Sequence, residues 1–594
     1  MVLVLVMSLP FVQRAYFVDD YYHVTMARGI LDHPARPYDF LSEDNGHQAI
    51  GWEKGQAPRM VNPPLFHYFL AGVMVLWGQE TWKLRTASLV FPIVSVLCLY
   101  FIGKRVTRWP FVAAVLMAIT PAFWLTSYAL LLDSAMLSFL LAALLVFMIS
   151  CEKRSIGWMI MGGVLMGLTL LAKYVGILIL PLVLAWQCLD PERRRWKPGY
   201  LVHPVAGIVL LLWGIWGILT YGQMHFWAAA PRGVNGHPAE GFLVLAIALA
   251  AFWFYRERWF GGRVRAALLL GAFGILILTA GLLRSGSLQN WLQTFYIDKF
   301  LVLGSFLGGG FLFLGWAPFL SAVVSKRAIG VWVVIALALF GAAHSRLGGF
   351  SAGQSALLAF FIVSTLAFLW LVRVCLSPAQ PAHRFLLIWM CLGLAELVLV
   401  MPWTAGRYLL LVLPAFGWGF LEIAGSLGRG VPWRTIGLTT AALSAFLACA
   451  DFDQAETIVQ VAQELRDRQA TLMHLAPRPA HHWYYLGDTF DGAQPYLGPQ
   501  GWEDAFASQE MRPGDLLLKP YFRRSSWWTL QHPERLRRIA TFQMESRIPL
   551  RVMDVPASAG FYASCWGSLP FAVTRDPLER FELYQVVETR DVVK

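Results

Sequence analysis

The chain has 594 residues, enough for several soluble domains, but 57% of them are hydrophobic and only 14% are charged. A soluble surface needs roughly a quarter of its residues charged, so disorder, a coiled coil, a fibrous repeat and a soluble enzyme are excluded, and lipid must cover much of the surface. The formal charge of +12 does not mark a nucleic-acid face either: residues 451–594 carry 16 basic and 19 acidic residues, and the basic excess falls in short clusters between apolar runs.

In chain order, the run 1–17 reads as a first span; it lacks the basic n-region and small-residue cleavage site of a signal peptide. A polar stretch follows at 18–63. Residues 64–77 (PLFHYFLAGVMVLW) are too short to cross and suit a helix lying along the interface. The next apolar runs are 86–103, 110–127, 129–150, 156–171 and 174–189. Between them stand Lys104-Arg105 with Arg108, then Lys153-Arg154, then Arg193-Arg194-Arg195 with Lys197. These clusters occupy every second connection, the alternation that places basic loops in the cytoplasm.

Continuing that rule through Arg256–Arg265, Lys326-Arg327, Arg373, Arg384, Arg429 and Arg434 gives 13–15 spans, with runs 241–255 and 328–343 the weakest. The expected fold is therefore a polytopic α-helical membrane protein of residues 1–450, with external loop 18–63 and interfacial helix 64–77. A small α/β soluble domain, 451–594, follows on the external side. In that tail AETIVQVAQELRDRQ (455–469) has a helical period, and WYYLG, DLLLK and IPLRVMDV read as strands. Seven scattered cysteines make no disulfide scaffold; a Cys449–Cys565 pairing stays open.

With this topology Asp19, Asp20, Asp133, Lys173 and Arg407 collect on the external side. Charge inside or at the lip of an apolar bundle is expensive and marks function by default. Snorkelling cations, a helix-tying Asp133 pair and exposed loop carboxylates are the plainer readings of each residue alone. Their coincidence on one face favours a site. His23, four residues after Asp19, reads as a hydrogen-bonding or surface histidine, and His67 beside Asn62-Pro63-Pro64 as a substrate contact or an interfacial residue. The segment 284–300 reads as an interfacial helix or an acceptor entrance.

VDDYYHVTMARGIL (18–31), NPPLFHYFLAGVMVLWG (62–78) and WKLRTASLVFPIVSVL (82–97) resemble the start of the GT-C membrane glycosyltransferases, in particular glycosyltransferase family 39. That family covers protein O-mannosyltransferases and the bacterial aminoarabinose transferases. ALLLDSAMLSFL (129–140), GLTLLAKYVGILILP (167–181) and GRYLLLVLP (406–414) resemble later landmarks in the same order. The resemblance implies a GT-C fold and an inverting transfer of a sugar from a polyprenyl-phosphate donor to a hydroxyl on a lipid, glycan or protein acceptor. It makes Asp19 the catalytic base, Asp20 its support and Asp133 a third catalytic carboxylate. Lys173, Arg407 and Tyr408 become substrate-binding residues; Tyr174, one of the aromatic residues near the external face, and His67, beside the N-P-P turn, are further candidates read from their positions alone. Asp20 stands where many members have Glu, and Asn62 where the aminoarabinose branch has Lys.

No nucleotide, zinc or redox motif is present; one Mg²⁺ or Mn²⁺ at Asp19 or Asp20 stays open, and no protein metal centre is expected. The implied setting is the outer face of a bacterial inner membrane, with the tail in the periplasm and no nucleic-acid partner. A secondary transporter or lipid-linked sugar flippase would place its charges nearer the midplane, often in paired repeats. An O-antigen ligase or polymerase would carry its main catalytic loop late in the chain. Neither pattern matches an acidic pair directly after the first span.

Overall fold

A computed structural model describes residues 1–44, 47–50, 60–226, 228, 297–346, 350–401, 403–428, 431–468, 474–475, 485, 512–521, 535–543, 545, 547–554, 557–576, 578 and 580–587. Among the described residues, seven helices are long and apolar enough to cross a bilayer, or nine if two bent pairs each count as one span. The seven are Thr81–Val106, Leu132–Lys153, Lys197–Tyr221, Lys326–Ser345, Ala352–Cys375, Pro381–Val398 and Trp433–Asp467. The bent pairs are Pro110–Ala118 with Pro121–Ser127, at 65°, and Lys299–Gly310 with Leu312–Val324, at 93°.

This is the helical membrane architecture expected, and the differences from the sequence reading are local. The runs 156–171 and 174–189 form helices Ile156–Ala172 and Tyr174–Cys188, both short of a full span, because the chain breaks at Lys173. The run 328–343 lies within the Lys326–Arg346 helix. The run 241–255 and most of the segment 284–300 lie outside the described residues.

The segment after the first apolar run has its own small core. Helix Asp20–Asp32 packs on helix Leu65–Leu76 through Val24, Ala27 and Ile30 against Phe66, Leu70 and Met74. At 12 residues the second helix is about 18 Å long, too short for a hydrocarbon core of about 30 Å. Gly29 is required by close approach, since a Cβ there would fall 2.5 Å from the Cβ of Phe40. A hairpin of Leu41–Asp44 and His47–Ile50 follows.

Within the bundle, helix Leu132–Lys153 doubles back on Ile156–Ala172 through Arg154, whose φ of 50 is left-handed. Gly163 and Gly167, one turn apart, let helix Val202–Tyr221 come in close; a Cβ at either would meet Val205 or Val209 at 2.6 and 2.5 Å. The basic clusters gather at the end of this bundle opposite Asp133, where Arg105 pairs with Glu152 and Arg154 with Glu192.

Helix Trp433–Asp467 is 35 residues, about 52 Å, and runs unbroken through position 451. It is longer than the bilayer core is thick. Its C-terminal half presents Ile458, Val461, Ala462 and Leu465 to Leu518, Phe542, Phe581 and Leu583 of a four-stranded sheet. The sheet order is His474–Leu475, Leu516–Tyr521, Arg580–Val586, Leu536–Gln543, with both pairings of Arg580–Val586 antiparallel and the His474–Leu475 pairing parallel. DLLLK thus lies on a strand, and IPLRVMDV contributes the short strands Leu550–Arg551 and Met553–Asp554. WYYLG lies outside the described residues apart from Tyr485. Cys449 and Cys565 do not form a disulfide with each other.

Candidate active site

Each of the four charged landmarks sits where a helix starts, ends or breaks. Asp19 occupies the N-cap position of helix Asp20–Asp32. Asp133 is in the first turn of helix Leu132–Lys153, where the helix dipole favours an anion. Lys173 is the extended residue that closes helix Ile156–Ala172 before a single 3₁₀ turn, Tyr174–Leu178. Arg407 lies in the 3₁₀ segment Gly406–Leu411, between helices Pro381–Leu399 and Leu413–Ser426.

The fold brings all four together. Arg407 Nη1 donates to Asp19 Oδ2 at 2.5 Å, and Arg407 Nε lies 3.9 Å from Asp133 Oδ2. Lys173 Nζ donates to the other oxygen of Asp133 at 2.8 Å. The Tyr408 ring underlies both cations, 4.6 Å from Lys173 Nζ and 5.3 Å from Arg407 Cζ. Among the described residues, the buried Arg407 Nε finds no hydrogen-bond partner. An unused guanidinium donor beside a lysine is suited to an anionic oxygen.

The two adjacent aspartates have different surroundings. The Asp19 side chain is 35% exposed and that of Asp20 is 1% exposed. Asp20 Oδ2 accepts from Arg14 Nη1 at 3.1 Å, Arg85 Nη2 at 2.7 Å and the Phe17 amide at 3.1 Å. Its Oδ1 accepts from the Leu130 amide at 2.9 Å. Asp20 is saturated by protein donors, whereas Asp19 keeps part of its carboxylate open.

Burial alone would raise the Asp19 carboxyl, but Arg407 beside it, with His23 and Lys173, holds it below the usual carboxylate range. For Asp20, burial is likewise outweighed, here by Arg85 and Arg14. His23 Nδ1 lies 3.0 Å from His67 Nε2, and burial pushes the His23 imidazole down to about 4 against the opposing pull of Asp19. The two histidines, read separately from the sequence, form one buried pair.

Tyr174 follows Lys173 but its hydroxyl is engaged elsewhere, 2.8 Å from His225 Nδ1 and accepting from Trp213 Nε1 at 3.1 Å. Among the described residues no group of three His, Cys, Asp or Glu side chains comes together to hold a metal ion. With Asp20 saturated and Asp19 on Arg407, the residues described here do not fit a divalent cation.

Sequence reasoning missed a second buried network. Arg14 Nη2 donates to Asp451 Oδ1 at 3.0 Å, and the same guanidinium reaches Asp20. Asp451 also accepts from the hydroxyls of Tyr128 and Tyr562, at 2.9 and 2.7 Å. Arg85 spans Asp20 and the carbonyls of Tyr128 and Ala15. The available signal was charge at the edge of apolar runs, in FVQRAYF and LACADFD.

A family model described as dolichyl-phosphate-mannose-protein mannosyltransferase matches residues 61–216. The resemblance to membrane glycosyltransferases read from the sequence is thus found again over that part of the chain. No curated protein matches. Among solved structures, the archaeal oligosaccharyltransferase AglB from Archaeoglobus fulgidus, in complex with an inhibitory peptide and a dolichol-phosphate, is 13% identical at a TM-score of 0.43. That match covers 85% of this chain and 66% of AglB, so the chain spans just under two thirds of that protein. ArnT from Cupriavidus metallidurans in the apo state is 15% identical at a TM-score of 0.36, over 87% of this chain and 91% of that one. The same protein bound to undecaprenyl phosphate is 16% identical at a TM-score of 0.37, with the same coverage.

Proposed function

We propose that this chain is an inverting glycosyltransferase of the GT-C type, moving a sugar from a polyprenyl-phosphate donor to a hydroxyl acceptor at the outer face of a bacterial inner membrane. The observation that carries the reading is the convergence of Asp19, Asp133, Lys173 and Arg407, from four separate parts of the chain, in one ion-paired cluster. The family match over 61–216 supports it and spans Asp133 and Lys173.

In this reading the acceptor hydroxyl attacks the anomeric carbon while its proton passes to Asp19, the exposed and ionised carboxylate. The bond from the anomeric carbon to the phosphate oxygen breaks on the opposite face. The charge left on the lipid phosphate is met by Lys173 and by Arg407, whose Nε is unused. Asp133 holds both cations in place, and Asp20 fixes the backbone next to the base. The isoprenoid tail stays in the bilayer beside the helices. Acceptors in keeping with this chemistry are lipid A, another envelope glycan or a protein hydroxyl. Residues 1–450 then form the membrane catalytic part and 451–594 a periplasmic domain, joined by the Trp433–Asp467 helix.

Lys173→Gln and Arg407→Gln each remove one phosphate partner. Each is expected to weaken binding of undecaprenyl phosphate about tenfold or more, measured by native mass spectrometry or fluorescence quenching in detergent. Wild-type affinity in both variants would remove the cluster from donor binding.

A further inference from the structure

One short piece of the C-terminal region holds both sides of the Asp19–Arg407 pair. On the arginine side, the Phe561 carbonyl accepts from the Gly406 amide at 2.6 Å. Ser564 and Thr404 exchange bonds, Ser564 N to Thr404 O at 2.8 Å and Thr404 N to Ser564 Oγ at 3.1 Å. Gly406 lies so close to the Phe561 ring that a Cβ there would fall 2.5 Å from it. These contacts fix the backbone directly before Arg407.

On the aspartate side, the Tyr562 hydroxyl donates to Asp451 at 2.7 Å and accepts from Arg14 Nη2 at 3.1 Å. Arg14 continues to Asp20, the neighbour of Asp19. Arg14, Asp20, Asp451 and Tyr562 are all buried to 1% exposure or less. Residues 561–564 therefore reach both sides of the ion pair, adding to the ties that Arg85 makes to Asp20 and Asp133 makes to Arg407.

We propose that Phe561–Ser564 completes the active site, and that Tyr562 and Asp451 are positioning residues for the Asp19–Arg407 pair. This inference rests on Asp19 being the proton acceptor. A buried ion pair is no more stabilising than well-packed apolar residues of the same volume. What the Arg14–Asp451–Tyr562 network supplies is a fixed distance between elements more than 400 residues apart in sequence, and transfer chemistry depends steeply on such distances.

The test uses the full chain in proteoliposomes, with sugar transfer from a polyprenyl-phosphate sugar followed at varied donor concentration. The variants are Tyr562→Phe, Asp451→Asn, the double variant and Asp19→Asn. Tyr562→Phe is expected to lower kcat per folded molecule about tenfold, with donor KM within about twofold of wild type, a loss that any fall in the thermal midpoint does not account for. The double variant is expected to be no slower than Asp451→Asn alone, because the two groups act through one bond. Should Asp451→Asn fail to fold, Tyr562→Phe alone carries the test. Wild-type kcat in Tyr562→Phe, or a lowered midpoint with unchanged kcat per folded molecule, overturns the positioning role. Full activity in Asp19→Asn overturns the functional reading and this inference together, whereas an inactive Asp19→Asn beside a fully active Tyr562→Phe overturns this inference alone.

Discussion

Asp19→Asn is expected to lower sugar transfer by about a thousandfold or more while leaving the protein folded, because the amide cannot take the acceptor's proton. The substitution keeps the size of the side chain and changes only its charge. It also removes the negative charge that Arg407 Nη1 faces at Asp19, so undecaprenyl phosphate should bind the variant at least as tightly as wild type. Loss of turnover with retained lipid-phosphate binding separates a base from a binding residue. Since Arg407 and its neighbours hold the wild-type carboxyl ionised below its usual range, wild-type turnover should persist as pH falls and decline only below about pH 4. A decline centred near pH 6 to 7 would place the essential base elsewhere.

Asp20→Asn is expected to produce a different loss. Asp20 accepts four hydrogen bonds, two of them from buried arginines, and the amide nitrogen would face donors it cannot satisfy. Removing one member of a buried ion network costs about 3–5 kcal/mol, so the thermal midpoint in detergent should drop sharply and expression with it. The folded-state carboxyl lies below its unfolded value, so its contribution is fully present above the unfolded pKa and is lost as pH falls through the lower, folded one. Wild-type protein should accordingly keep this stabilisation down to about pH 4 and lose it below, and Asp20→Asn should lack that acid transition. A variant with an unchanged midpoint would show that the network does not hold helix Asp20–Asp32 in place.

The contrast between these neighbours marks how far the sequence could be read. Asp19, Asp133, Lys173 and Arg407 were legible because ionisable residues next to apolar runs are costly, and because alternating basic clusters put them on one side. Asp19 and Asp20 could not be separated in that way: two adjacent carboxylates look alike until the donors around them are known. Those donors, Arg14 and Arg85, lie in the flanks of apolar runs. Their further partner Asp451 is 437 positions from Arg14, a contact that no local pattern encodes. Tyr562 was an ordinary aromatic in a polar tail. The boundary drawn at 450/451 follows the change from apolar to polar composition; the helical period does not change there, so one helix runs through it unbroken. In the other direction, apolar length alone turned the runs on either side of Lys173 into two spans, where the lysine breaks the chain into shorter helices.

The central claim is tested most directly with purified protein in proteoliposomes that carry radiolabelled polyprenyl-phosphate sugars, supplied with envelope acceptors, and compared with Asp19→Asn. The account predicts one polyprenyl phosphate released for every sugar transferred, an inverted anomeric configuration in the product, and neither event in the variant. Donors left intact by wild-type protein across the panel, or equal release by the variant, would contradict it.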